Sequence, residues 1–336
     1  MSGDPSGFRP ESALPAVTDI EHARAFLSQH LTPTRLLPAP SLTSLAGQPV
    51  LLKLESDLPT GSFKVRGALY ALWSRMRARR IAEVVASSTG NHGAAVAYAA
   101  RQLGVRATIF LPRCANPVKR QRIADLGARI MELGADIGDA AAGAVEYAQR
   151  EAGIYYLNDA TDRTLPAGPA TIGCEILERC PECAEIYAPV GDSALIRGVA
   201  AAVRASRPAV RVIGVQAEAA PSYYLSWREG RVITTKTCNT IADGLATRTP
   251  IAANVCAIRE AVADMRLVTE QQMRSAIERL ATDEHVVAEP AAAATVACLV
   301  SGLDGSGRPA VESRGATIVL VITGGNIAPG VLRQIS

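Results

Sequence analysis

From about residue 80 onward, short β-branched apolar runs alternate with longer Ala-rich segments whose apolar positions recur every three or four residues. IAEVVASS is followed by NHGAAVAYAARQLG, VRATIFLP by VKRQRIADLG, and ARIMELG closes this series. The rhythm returns in AEIYAPV, ALIRGVAAAVRASRP, VRVIGVQAE and, near the C-terminus, GATIVLVIT. Strands buried on both faces read as continuous apolar runs, and helical crossovers carry a period near 3.6. The pattern therefore predicts an α/β fold with mainly parallel twisted sheets flanked by helices. QPVLLKLES predicts a further strand, and ATDRTLPAGPA, around 160–170, reads as a connection between two lobes.

Open α/β sheets place ligands at the carboxyl ends of strands, where the chain turns into the next helix. One such turn is Ser87-Ser88-Thr89-Gly90-Asn91-His92-Gly93, whose helix-start amides suit a carboxylate or phosphate. Simple capping explains Ser88 or Thr89 but not the glycines or Asn91-His92, and a lone histidine is more often structural. A second turn, Gly191-Asp192-Ser193-Ala194-Leu195, offers amides and a hydroxyl to an anion but matches neither GxGxxG nor a P-loop. A third, Thr323-Gly324-Gly325-Asn326, ends a buried strand with a hydroxyl; an ordinary turn explains it nearly as well. In SDLPTGSFKVRGALYAL, Lys64 opens a helix, where a cation is disfavoured by the helix dipole. It is either a solvated surface charge or a buried nucleophile.

Composition narrows the classes. The 336 residues, 48% hydrophobic, suffice for two domains or one domain with a large insertion. Lys+Arg 35 against Asp+Glu 32 leaves +3, with no basic block, so nucleic acid is not an expected partner. No apolar run approaches the roughly 20 residues of a membrane span, and the N-terminus lacks a signal peptide's order, so the expected location is the cytoplasm with no membrane partner. Seven scattered cysteines do not form a disulfide framework. Cys180-Pro-Glu-Cys183 has no second ligand pair for zinc and is read as a helix-end loop.

Taken in order, SFKVRGA, SSTGNHG, the strand–loop–helix at 186–203, TIADGL, HVVAEPAAA and ITGGN resemble the serine/threonine dehydratase and serine racemase family. These are fold type II enzymes that use pyridoxal 5′-phosphate (PLP), and the resemblance runs from about Leu31 to Ile327. It implies a large PLP-binding domain from 1–82 and 161–336 and a small substrate-closing domain at 83–160. It further implies that Lys64 forms the internal Schiff base, which requires some neutral amine, with Phe63 beside the ring. Asn91 is implied at the phenolic oxygen and Thr323 at the pyridine nitrogen, with Gly244 also contacting the cofactor. The substrate carboxylate falls to Ser88, Thr89, Gly90, Asn91 and His92. Gly191, Asp192, Ser193 and Ala194 replace a phosphate loop that is usually four glycines, and Leu195 is implied as the next cofactor contact. Asp192 is therefore expected to turn away, capping the following helix or pairing with Arg197, while Ser193 donates to phosphate.

The acidic ligands of the family's divalent-cation site fall on Gln216 and Ser222, with Ala220 offering only a carbonyl. No metal is expected, although Glu218 keeps one open. The implied reaction is β-elimination from a 3-hydroxy amino acid such as L-threonine or L-serine, giving a 2-oxo acid and ammonia. Lys64 takes the α-proton. Racemisation is the nearest alternative, with Thr89 where family racemases place a serine as the second acid. A catalytically silent amino-acid-binding protein is the other. Arg66, Tyr223, Tyr224 and Arg248 are either specificity residues or surface. A homodimer is expected, and a C-terminal regulatory domain is not.

Overall fold

The computed structural model describes residues 13–115, 117–302, 316–327 and 330. Among these, ten strands form two sheets: β1 (Leu36–Pro38), β2 (Val50–Leu54), β3 (Glu83–Ser87), β4 (Arg106–Leu111), β5 (Arg129–Glu132), β6 (Ile154–Tyr156), β7 (Cys183–Pro189), β8 (Arg211–Ala217), β9 (Asp264–Val268) and β10 (Thr317–Ile322). The larger sheet has the order β1-β2-β10-β7-β8-β9 and the smaller β5-β4-β3-β6. All pairings are parallel except β1 with β2. The expected α/β class with parallel sheets is what the chain adopts.

β10 shows why its sequence forms a central strand. TIVLVI is buried throughout, and its side chains alternate between the two faces of the sheet. Ile318, Leu320 and Ile322 join one core with the helices Pro290–Ser301 and Glu270–Thr282. Val319 and Val321 join the other, against helices Ala167–Arg179 and Ala194–Ser206. The smaller sheet is covered in the same way. Val84, Ala86, Ile109 and Leu111 pack with helices Lys64–Ala78 and Asn91–Leu103, while Val85 and Phe110 meet Ile137–Ala148 on the far side.

Helix Lys64–Ala78 belongs to the core shared with the smaller sheet, yet its first residue is tied to the larger one. Phe63 N donates to Thr323 O at 3.0 Å just beyond β10, and Ser62 bridges Gly324. The approach needs Gly61, at φ +62° and so close to Asn326 that a Cβ there would lie 2.6 Å from Oδ1. Cys180 caps helix Ala167–Arg179 and Cys183 begins β7, so this pair spans a helix-end loop as its spacing predicts.

Candidate active site

Lys64 sits where the strand ends of the larger sheet face the smaller one. Its side chain is 18% exposed, its Nζ donates to Asp159 Oδ2, and Nζ lies 5.6 Å from the centre of the Phe63 ring. Burial alone lowers an amine's pKa. Here the attraction of Asp159, Asp192 and Glu289, together with the hydrogen bond to Asp159, outweighs burial and raises it. The expectation of a partly neutral amine is corrected by this cluster of carboxylates: without another partner, Lys64 is held as an ammonium ion.

The 88–93 turn closes beside it. Ser88 Oγ accepts from Gly90 N at 3.2 Å, and Gly90 precedes helix Asn91–Leu103. Asn91 Nδ2 donates to Glu289 Oε1 at 2.8 Å and Oε2 at 3.1 Å, and Asn91 Oδ1 accepts from Asn326 Nδ2 at 2.6 Å. Glu289 is thereby brought to the site from the start of helix Pro290–Ser301. Burial, only partly offset by the Asn91 hydrogen bond, raises its carboxyl pKa. His92 is buried, with Nε2 2.9 Å from Leu157 O. A carbonyl only accepts, so Nε2 carries the proton and Nδ1 faces Asp159 Oδ2 at 3.8 Å.

On the opposite side lies the turn from β7 into helix Ala194–Ser206. Ser193 adopts φ +72°, and a Cβ built at Gly191 would lie 2.0 Å from Gly244 O, so Gly244 packs directly on this turn. Ala194 and Leu195 lie in the helix's first turn, whose first internal bond is Arg197 N to Ser193 O at 3.0 Å. Asp192 does not behave as its sequence suggests. Its Oδ1 accepts from Thr247 Oγ1 at 3.1 Å; it neither caps the helix nor pairs with Arg197. Arg197 instead donates from Nε to Ser193 Oγ at 3.2 Å and from Nη1 to Ala13 O at 2.8 Å. Burial first, then the Asp159 charge, raise the Asp192 carboxyl against the opposing pull of Lys64, Thr247 and His92.

The structure therefore brings together Phe63, Lys64, Asn91, His92, Asp192 and Thr323, with Ser88, Thr89 and Gly90 on one rim and Gly191, Ser193, Ala194, Leu195 and Gly244 on the other. Of the four open specificity candidates, Arg66 is neither surface nor specificity. It is buried between Glu55 and Glu175. Tyr223 is buried under the Ser193 turn, whereas Arg248 is exposed. Gln216 Oε1 accepts from Tyr224 N at 2.9 Å, and Ser222 Oγ donates to Thr247 O at 2.6 Å, so both are engaged in local structure. No local motif marks Asp159, and Glu289, although it lies within HVVAEPAAA, carries no role in the sequence reading.

The family described as "Pyridoxal-phosphate dependent enzyme" matches residues 27–324. The L-threonine ammonia-lyase of Geobacter sulfurreducens is 35% identical over 310 residues, covering 92% of this chain and 75% of that protein. The catabolic L-threonine dehydratase of Escherichia coli strain K12 is 32% identical, with 96% of each chain covered. Among solved structures, maize serine racemase superposes with a TM-score of 0.88 at 28% identity, again covering 96% of each.

Proposed function

Because the chain belongs to the family of pyridoxal-phosphate dependent enzymes, we propose that the cleft around Lys64 is the site of an ammonia-lyase that converts a 3-hydroxy amino acid, L-threonine or L-serine, to a 2-oxo acid and ammonia. The observation that carries this reading is a largely buried lysine amine enclosed by three carboxylates, at the junction of two strand ends and two helix N-termini.

The residues present fit PLP. The amides of Ala194, Leu195 and Ile196 have no acceptor within their own helix, the Ser193 turn presents them together, and the Gly191 approach leaves no side chain in the way. Asp192 is turned to Thr247, whose hydroxyl occupies its Oδ1. In this reading Thr323 serves the ring nitrogen, Asn91 the phenolic oxygen, and Phe63 and Gly244 the ring and tail. When bound, PLP supplies the electron sink for the α-carbon.

The protein's own part is positioning and proton transfer. The substrate carboxylate is received by Ser88, Thr89, Gly90, Asn91 and His92 at a helix N-terminus. Lys64 Nζ takes the α-proton, and Asp159 stabilises the ammonium ion that results. Loss of the β-hydroxyl as water leaves an enamine, which returns a water on hydrolysis, so substrate becomes oxo acid plus ammonia with no net consumption of water.

The proposed division is a PLP-binding part, 1–82 with 161–336, and a closing part, 83–160; β3 to β6, which run from residue 83 to 156, support it. The proposal extends to a cytoplasmic homodimer. No helix among the described residues is long and apolar enough to cross a membrane. Borohydride treatment of the yellow holoenzyme followed by peptide mapping tests the core of the reading: the cofactor mass is expected on Lys64, and a colourless protein or another labelled residue overturns it.

A further inference from the structure

Asp159 stands on a turn built to hold it. Asn158 Oδ1 accepts from Ala160 N and Thr161 N, both at 3.0 Å, forming an Asx turn around it. Asp162 Oδ1 accepts from Thr164 N at 2.9 Å and Leu165 N at 3.0 Å. Asn254 Nδ2 reaches across from the larger sheet's side to Ala160 O at 2.9 Å. The carboxylate meets Lys64 Nζ on one side and His92 Nδ1, at 3.8 Å, on the other. Although burial opposes it, His92 and Lys64 hold the Asp159 carboxyl below the ordinary range, so it is anionic.

A carbon that gives its proton to Lys64 must lie about 3–3.5 Å from Nζ. Asp159, hydrogen-bonded to the same nitrogen, is then within about 6 Å of that carbon and close to its β-substituent. With substrate seated, Nζ is the neutral amine that awaits the α-proton, so Asp159 then has no ammonium partner and presents its charge to whatever the substrate carries.

We propose that Asp159 is a specificity-determining residue, selecting amino acids whose β-substituent is a hydroxyl or an ammonium group and rejecting those with a side-chain carboxylate. The proposal rests on the ammonia-lyase reading and deepens it by naming the substrate's charge class. A donor at the β-position hydrogen-bonds to Asp159, whereas a second carboxylate is repelled by it and by Asp192 and Glu289, the other two anions around Lys64. An ammonium leaving group departs as ammonia, so a 2,3-diamino acid plus one water gives one oxo acid and two ammonia.

The test compares holoenzyme and Asp159→Asn with L-serine, L-2,3-diaminopropionate and 3-hydroxyaspartate, following oxo-acid release for kcat/KM and the cofactor's absorbance for binding. Wild type is expected to prefer serine over 3-hydroxyaspartate by at least about 10-fold; two unit charges about 6 Å apart in a partly buried site set a scale of about 100-fold. Asp159→Asn is expected to collapse that ratio toward unity and to weaken diaminopropionate. A loss common to all substrates reflects the altered Lys64 and cancels in the ratio. Equal use of 3-hydroxyaspartate and serine by wild type, or a ratio unmoved by Asp159→Asn, overturns the proposal. If the variant does not fold, the wild-type ratio and Asp159→Ser decide. If wild type binds PLP but releases no oxo acid, the ammonia-lyase reading fails. Absorbance titrations with L-serine and L-aspartate still judge the charge rule: tighter serine supports it, and equal or tighter aspartate sinks it.

Discussion

Arg66 grips Glu55 with two hydrogen bonds, Nε to Oε2 at 2.7 Å and Nη2 to Oε1 at 3.0 Å, two residues beyond Lys64 in the same helix. Glu175 accepts from Arg66 Nη1 at 2.6 Å and from Lys53 at 2.5 Å, so β2, the Lys64 helix and the helix Ala167–Arg179 meet in one buried ion network. Such a pair is worth little against a well-packed apolar replacement but is costly to break on one side. Glu175→Ala is therefore expected to destabilise the fold by about 3–5 kcal/mol, read by urea denaturation. Burial works against the charge, but Arg66 and Lys53 hold the Glu175 carboxyl below its ordinary value. Its contribution is present above the unfolded carboxyl's pKa and is lost as pH falls below about 4.

Glu289 behaves in the opposite sense. Burial raises its pKa, so ionisation costs stability as pH rises through the ordinary carboxyl range. Glu289→Gln, which keeps an oxygen for Asn91, is expected to stabilise the cofactor-free protein by about 1 kcal/mol at pH 8. The gain shrinks on acidification. Thermal melts at pH 5 and pH 8 check the sign; a gain that grows at the lower pH contradicts it.

Removing the Asp192 charge would relieve a carboxylate held near the proposed phosphate site. Asp192→Asn is expected to tighten PLP several-fold, on the order of 1 kcal/mol, because Thr247 can still donate to the amide oxygen. Equilibrium dialysis of PLP against both proteins measures it. Weaker binding in the variant would mean that Asp192 donates to the phosphate as a neutral acid.

Thr89 bears on elimination against inversion. With L-serine, oxo acid is expected without D-serine, and Thr89→Ser is expected to raise the yield of D-serine relative to oxo acid. Chiral chromatography of the same reaction mixtures reads both products. D-serine formed by wild type without oxo acid would favour racemase activity over elimination.

The parts of this protein legible in its sequence are those whose environment is uniform along the chain. β3, β4, β7, β8 and β10 lie inside sheets, and their apolar runs announce it. β1, β6 and β9 are edge strands, two of them three residues long, and DMRLV at β9 carries charges that dilute the pattern. The site divides similarly. Turns at strand ends can be read locally, which is why the sequence singles out Asn91, Ser193 and Thr323, while Lys64 is marked by its place at a helix start. Asp159 stands just before ATDRTLPAGPA, the stretch read as a connection, and nothing local singles it out, because its meaning depends on Lys64, 95 residues away. Asp192 was recognised, but its partner Thr247 was set by a loop 55 residues further on.

β10 is the last described strand and yet occupies the middle of its sheet, hydrogen-bonded to β2 on one side and β7 on the other. On a ribosome, the chain through residue 302 would emerge with β2 and β7 unable to become neighbours across their missing slat. The smaller sheet, complete by residue 156, can assemble during synthesis, while the larger must wait for its final ladder. Thr323 and the Gly61 turn are latched by that same event, so the surroundings of Lys64 are completed only after residue 324 has been made.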